Sequence, residues 1–405
     1  MSLKVTYPDE FAFIGNPMLI DIESDTTEEI IISIGVNKVD LIDLSVFPFG
    51  DAGVYRAKVD VSKFLASFFE RYTTKQAIID TLAGFALDYS LSVSPKSTEP
   101  GTIIKIFNGK AFFGGISKFN YQFLKSKGTD IFEYRFRNPE RQFLFTTRTN
   151  SNYLVLRETE LHPFVFIHPE GEISITSPNG KRMTFESRAK DTVCSFDVDL
   201  LRRAYFEECH ELVSFFAVMV DKKNVFNIAI VPNTISEESY LLKFRNSIGA
   251  YELIEVTGNG YDVQKFSEED VWEASNSVEI YEEHRSRVAS RKTMTVETGY
   301  KTREELSFIT DLIRSDDVYL IDTSDPLKRE YRCLITPEEL TIPKRITTPL
   351  SVKLDLRMVM EEMYQSPDIV YDKSLPLFQN LTVPGDPRIN RYGLIYIDDY
   401  PFYSM

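Results

Sequence analysis

Three short blocks recur in the same order along this chain, and that recurrence constrains the fold more than any other feature. Val59-Asp60-Val61 aligns without a gap on Val198-Asp199-Leu200, an offset of 198 − 59 = 139. Tyr89 to Pro95 aligns on Phe226 to Pro232, at 232 − 95 = 137. Lys105-Ile106-Phe107-Asn108 aligns on Lys243-Phe244-Arg245-Asn246, at 243 − 105 = 138. Ordered blocks at nearly constant spacing mark a duplicated unit. Two divergent copies are expected, at 1–128 and 150–262, joined by a linker or edge strand at 129–149.

Each copy reads as sheet. Ile30 to Ile34 ends at Gly35, Val39 to Phe47 stops at Pro48, and Val54 to Val59 follows. Short runs of β-branched and aromatic residues bounded by turn formers are the strand signature. Phe64, Leu65, Phe68 and Phe69 then fall on one face of a short helix, with Asp60 or Ser62 placed to accept its free N–H groups. Asn108-Gly109 predicts a hairpin turn between Ile103–Phe107 and Ala111–Phe113. The second copy repeats the order. Strands at Phe164–Ile167, Ile173–Ile175 and Met183–Phe185 surround a Pro178-Asn179-Gly180 turn, and Val193 to Leu200 runs into a helix. A strand, a short helix and a strand would cross between the sheets of a sandwich.

The C-terminal part differs. Residues 263–287 read as an acidic connector and 288–364 as a β-rich domain with one helix. Thr302 and Glu305 have capping-box spacing, and Leu306, Ile309, Leu312 and Ile313 form the apolar stripe behind them. Strands are expected at Val318–Ile321, Tyr331–Ile335 and Leu350–Leu356, and residues 365–405, rich in Pro, Tyr and Asp, read as an extended arm. The expected fold class is mainly β: tandem β-sandwich-like domains with short crossover helices, plus a C-terminal β-rich α+β domain.

Charge and motifs narrow the function. A net charge of −15 argues against nucleic acid as the main partner, since phosphate contacts need clustered Lys and Arg. Cys194, Cys209 and Cys333 are too few and too scattered for a disulfide framework and read as core residues. The stretch Met1 to Ile22 has no basic start and no continuous apolar run, so synthesis in the cytoplasm without a signal peptide is expected, and no run is long enough to span a bilayer. Phosphate-binding Gly-rich loops, a Gly-x-Gly-x-x-Gly and a Gly-x-Ser-x-Gly elbow are all missing. His162, His168, His210 and His284 lack metal-ligand spacing and read as surface or edge residues. Pairs such as Asp316-Asp317 and Asp398-Asp399 are what an acidic composition produces. No catalytic, cofactor-binding or metal residue is assigned. Asp60 and Asp199, singled out by the repeat, read as helix caps, with a duplicated calcium or sugar site as the alternative.

Val59 to Leu65 and Lys243 to Glu252 resemble segments of uncharacterised proteins from prophages and mobile elements of Bacteroides-type bacteria. Leu312 to Arg357 is similar to the β-barrel-plus-helix domains of phage tail proteins. The resemblance implies a non-enzymatic structural component of a phage-like particle, of tail or baseplate type. It would contact other particle proteins or further copies of itself through β-domains, without cofactor, nucleic acid or membrane, and could end up in a virion. The alternative is a carbohydrate- or surface-binding tandem β-sandwich module. Its aromatic platform would have to manage with Trp272 as the single tryptophan.

Overall fold

The computed structural model describes residues 3–362 except 51–52, 75–76, 98–105, 142, 211, 234–235, 237, 259–262, 267–270, 278–279, 286–289, 303–304, 324–328 and 337–349. The expected arm at 365–405 lies outside the described residues.

The N-terminal unit comprises β1 (Leu3–Thr6), β2 (Phe11–Phe13), β3 (Leu19–Ser24), β4 (Ile30–Val36), β5 (Val39–Val46), β6 (Tyr55–Asp60), α1 (Ser62–Ala66), β7 (Ile79–Thr81), β8 (Ala86–Pro95), β9 (Ile106–Phe112) and α2 (Lys118–Ser126). Its strands form a small sheet, β1-β3-β6, and a larger one, β2-β9-β8-β4-β5. Ile20 and Ile22 of the small sheet pack against Ile30, Ile32, Ile34 and Leu91 of the large one, all buried. Alternation along β4 therefore turns Ile30, Ile32 and Ile34 into the core and leaves Ile31 and Ser33 half-buried on the other face, as a half-buried strand requires. A two-residue turn with positive φ at Asn37 (52°) and Lys38 (68°) joins β4 to β5.

Asn108-Gly109 does not turn. Both residues lie inside β9, with Gly109 opposite Tyr89 of β8. A Cβ on Gly109 would stand 2.6 Å from the Tyr89 ring, so the glycine makes room for a buried tyrosine.

The second unit comprises β10 (Tyr153–Arg157), β11 (Pro163–Ile167), β12 (Ile173–Thr176), β13 (Arg182–Thr184), β14 (Val193–Asp197), α3 (Val198–Cys209), β15 (Phe215–Val220) and β16 (Lys223–Val231). Its large sheet runs β10-β16-β15-β12-β13. That is the order of the first unit, including a parallel outer pair, β2 with β9 and β10 with β16. The second unit's small sheet is β11-β14-β7, and α3 carries the chain from β14 directly to β15 of the large sheet, whereas in the first unit α1 follows β6 and the chain passes through β7 before β8. The tandem sandwich fold is thus explicit in the topology. The topology also corrects the alignment. β8 corresponds to β15 and β9 to β16, so Tyr89–Pro95 does not correspond to Phe226–Pro232. Similar strands recur every few residues in a sheet protein, and matching one strand late is easy by sequence.

The remaining strands are β17 (Ser239–Arg245), β18 (Tyr251–Gly258), β19 (Val263–Phe266), β20 (Val271–Ser277), β21 (Ile280–Arg285), β22 (Ser290–Lys301), β23 (Val318–Asp322), β24 (Glu330–Ile335) and β25 (Leu350–Glu362), with α4 (Glu305–Arg314) before β23. A seven-stranded sheet runs β18-β17-β23-β24-β25-β22-β19, and pairing of β18 with β22 closes it into a barrel. Leu306, Phe308, Ile309 and Leu312 of α4 are buried in the barrel's core. Thr302 and Glu305 cap that helix reciprocally, as their spacing predicts: the Thr302 amide donates to Glu305 Oε2 at 2.9 Å. Two expectations fail here. Residues 239–258, expected within the 150–262 copy, belong to the barrel, so Lys243–Asn246 has no counterpart in the first sandwich. The expected connector at 263–287 contains β19 and an antiparallel hairpin, β20 with β21.

The segment 129–149 is neither a strand nor a loose linker. Phe132–Phe136 forms a π-helical turn. Its Phe-x-Tyr-x-Phe alternation fits one helical face equally well, because Phe132 and Phe136 are i, i+4 neighbours. Both are buried, and Tyr134 is exposed.

Candidate functional site

Residues 129–149 sit where the three units meet. Phe132, Phe136 and Phe145 join Phe11, Phe13, Phe85 and Phe112 of the first sandwich, Val165, Ile167 and Val193 of the second, and Ile248 and Ala250 of the barrel in one buried cluster. The rings lie in contact, with centroids 4.7 Å apart for Phe13–Phe132 and 4.3 Å for Phe136–Phe145. β7 adds a further tie: it leaves the first sandwich to pair with β14 of the second. Gly114 and Gly249, at φ of 89° and 93°, let the first sandwich's backbone meet the β17–β18 turn, where Gly115 N–H donates to the Ser247 carbonyl at 2.7 Å. A Cβ on Gly114 would overlap that same carbonyl. The chain is therefore three units sharing one core.

Beside this core lies a buried polar network between the second sandwich and the barrel. Arg148, 6% exposed, donates from Nη1 to Glu160 Oε2 at 2.6 Å and from Nη2 to the Leu253 carbonyl. Its guanidinium lies over the Phe308 ring at 4.5 Å. Glu160 also accepts the Arg157 amide at 3.1 Å and the Glu255 amide at 2.9 Å. Glu252 accepts from the Thr146 hydroxyl (2.9 Å), the Thr147 amide (2.9 Å) and Asn246 Nδ2 (2.6 Å). Glu255 accepts from the Thr159 hydroxyl. Asn246 also organises its own turn, accepting the Ile248 and Ala250 amides at 3.2 and 2.9 Å.

The electrostatics separate the two glutamates nearest Arg148. Burial works to raise Glu160, but Arg148, Lys301 and the Glu255 and Arg157 amides outweigh it and hold its carboxyl below the usual range. At Glu252 burial prevails over Arg148 and the neighbouring donors, and its carboxyl is raised. Carboxyl groups pushed apart in this way are what acid–base catalysis uses. These two are closed between packed units, at 1% and 0% exposure. The arrangement suits a latch that fixes one unit on the other.

The sequence-predicted positions fall elsewhere. Asp60 lies one residue before Val61, the N-cap of α1, and its Oδ1 accepts the Ser62 amide at 3.0 Å and the Met18 amide at 3.1 Å. Its counterpart is Asp197, whose Oδ1 accepts the Asp199 and Leu200 amides at 2.9 and 3.1 Å. Both end the strand paired to the start of β3 or β11. Asp199 is not the cap. It lies in the first turn of α3, buried and paired with Arg203 at 2.8 Å, and burial pushes its carboxyl up to about 8. Among the described residues no group of three or more His, Cys, Asp or Glu side chains that could hold a metal ion gathers at Asp60 or at Asp199. His162 and His168, expected at the surface, are buried, with Nδ1 of each 2.7 Å from the carbonyls of Glu160 and Pro169 respectively. Cys194 and Cys333 are buried thiols, as expected of core residues.

Other features face water. Phe47 and Phe49, between β5 and β6, are 64% and 81% exposed, and Phe119 and Phe123 of α2 are 77% and 54% exposed. A cavity of about 410 Å³ lies between α2 and the segments around β1 to β3.

No protein-family model matches this chain, and no curated protein does. Among solved structures it is similar to the Salmonella enterica SafA pilin in complex with the SafB chaperone, at 10% identity and a TM-score of 0.17, covering 56% of this chain and 96% of that one. It is also similar to the I9–I11 tandem of titin, at 8% identity and a TM-score of 0.14, covering 73% and 95% respectively. At these scores the likeness carries no argument about this chain.

Proposed function

We propose that this chain is a non-enzymatic structural component of a phage-like particle, of tail or baseplate type, that assembles through contacts between β-domains. The observation that carries the reading is the two pairs of phenylalanines left in water on the first sandwich and α2. Isolated exposed apolar residues are ordinary, but two phenylalanines two or four residues apart in the chain, at 54–81% exposure, suit a surface that another protein covers. The shared phenylalanine core and the Arg148 network support it from inside: their polar and aromatic groups fix the units on one another, which suits a part held in a defined assembly. Among the described residues β5 is the outer strand of the first sandwich's large sheet, beside Phe47, and open edges accept further strands.

The test is mass spectrometry of phage-like particles purified from an induced culture of the source organism. Many copies per particle are expected. Absence from abundant intact particles, with the chain present in the lysate, rejects the reading.

A further inference from the structure

We propose that the cavity beneath α2 receives an arginine side chain from a neighbouring protein. The inference takes from the assembly reading only that the ligand is a protein. The binding chemistry stands on the cavity.

The cavity, about 410 Å³, has apolar walls that include Phe11, Leu19, Ile116, Leu124 and Ile131. That is the size and lining of a small-ligand pocket, ample for one side chain. Its mouth meets solvent at Asp9 and Lys125, which are 38% and 44% exposed and form an ion pair with each other. Asp21, on another wall, is paired with Lys58 at 3.1 Å. Asn16 is spent on Ile116, giving to its carbonyl and accepting from its amide at 2.9 Å each, and the Tyr121 hydroxyl donates to the Pro17 carbonyl at 3.0 Å.

Among the described residues one charged lining residue forms no ion pair, although the Lys125 charge lies near it. Asp130 is half-buried, has no basic side chain in an ion pair among the described residues, and accepts the Phe132 amide. Burial pushes its carboxyl up to about 6, and the Asp9 and Glu133 charges add to the rise, against the Phe132 amide and Lys125. A carboxylate desolvated in this way gains most from a cation brought to it in the same dry place. Guanidinium suits the site better than ammonium. It is planar, loses hydration more easily and stacks on aromatic faces. Tyr7, at the cavity wall, already lies flat on Phe107 with centroids 5.0 Å apart, which fixes its ring.

The experiment is a methyl NMR titration of the full chain labelled at isoleucine δ1, because Ile116 and Ile131 line the cavity. The probe is acetyl-Gly-Arg-Gly-amide, and its control is the same peptide with citrulline, which keeps the shape and removes the charge. Saturable shifts of Ile116 and Ile131 with the arginine peptide are expected, about ten-fold weaker binding with citrulline, and a similar loss in Asp130→Asn. Unmoved methyls at millimolar peptide, or equal binding of the two peptides, overturn the proposal without recourse to any variant. The outcome is independent of whether the chain is found in particles, so the two readings fail separately.

Discussion

Arg148→Met is the most informative single perturbation of this molecule. It keeps most of the apolar stem against Phe308 while removing the charge-assisted bond to Glu160 at 2.6 Å and the bond to the Leu253 carbonyl. Glu160, 1% exposed, is left without its closest cation. Removing one partner of a buried ion pair costs about 3–5 kcal/mol, because the other charge stays desolvated. With an unfolding entropy of about 2.1 cal/mol/K per residue over the cooperative unit, that loss lowers the melting temperature by about 5 °C. Calorimetry of the full chain measures it. The double variant Arg148→Met, Glu160→Gln should recover part of the loss, since position 160 then carries no buried unpaired charge, and the coupling between the sites should reach about 2 kcal/mol. A melting temperature within about 1 °C of the parent for Arg148→Met refutes the latch, and so does strict additivity in the double variant.

Phe132→Ala opens a cavity in the core shared by all three units and should cost about 3–5 kcal/mol, splitting one calorimetric transition into separate unit transitions. Burial holds the His162 ring down at about 4, below its unfolded value, so the folded form favours neutral imidazole. Its contribution is complete above about pH 6.5 and is lost as the pH falls toward 4, about 3 kcal/mol over that window. Urea titrations across it should show a shallower fall for His162→Gln. Asp197→Ala removes the acceptor of two amides at the start of α3 and should cost about 1 kcal/mol in urea unfolding. Asp199→Asn should stabilise at pH 7, because the folded carboxyl is raised to about 8 and favours the protonated form. That gain grows as the pH rises from about 4 to 8 and is absent below it, and equal stability of variant and parent at pH 7 counts against it.

Local chemistry was legible in the residues. The β-branched run of Ile30 to Ile34, the Pro178-Asn179-Gly180 turn, the Thr302–Glu305 cap and the helix after Asp60 depend on near neighbours, and each stands where its pattern puts it. The tandem sandwich class followed from the same patterns. Partner choice was not legible. Asn108-Gly109 has the composition of a turn, yet the ring of Tyr89 across the sheet keeps it extended. Asp199 matched Asp60 in an ungapped alignment, while the pairing of β11 with β14 makes Asp197 its counterpart. Residues 239–258 read like any other strands, and their hydrogen bonds to β22 and β23 assign them to the barrel. Arg148, Glu160, Glu252 and Glu255 look like ordinary surface charges, because nothing within a few residues of any of them shows that another unit will cover it. Strand and helix periods arise from the backbone's own geometry over a few residues. Which strand pairs with which, and which charge loses its water, is set by contacts between segments far apart in the chain, and those exist only once the units have packed.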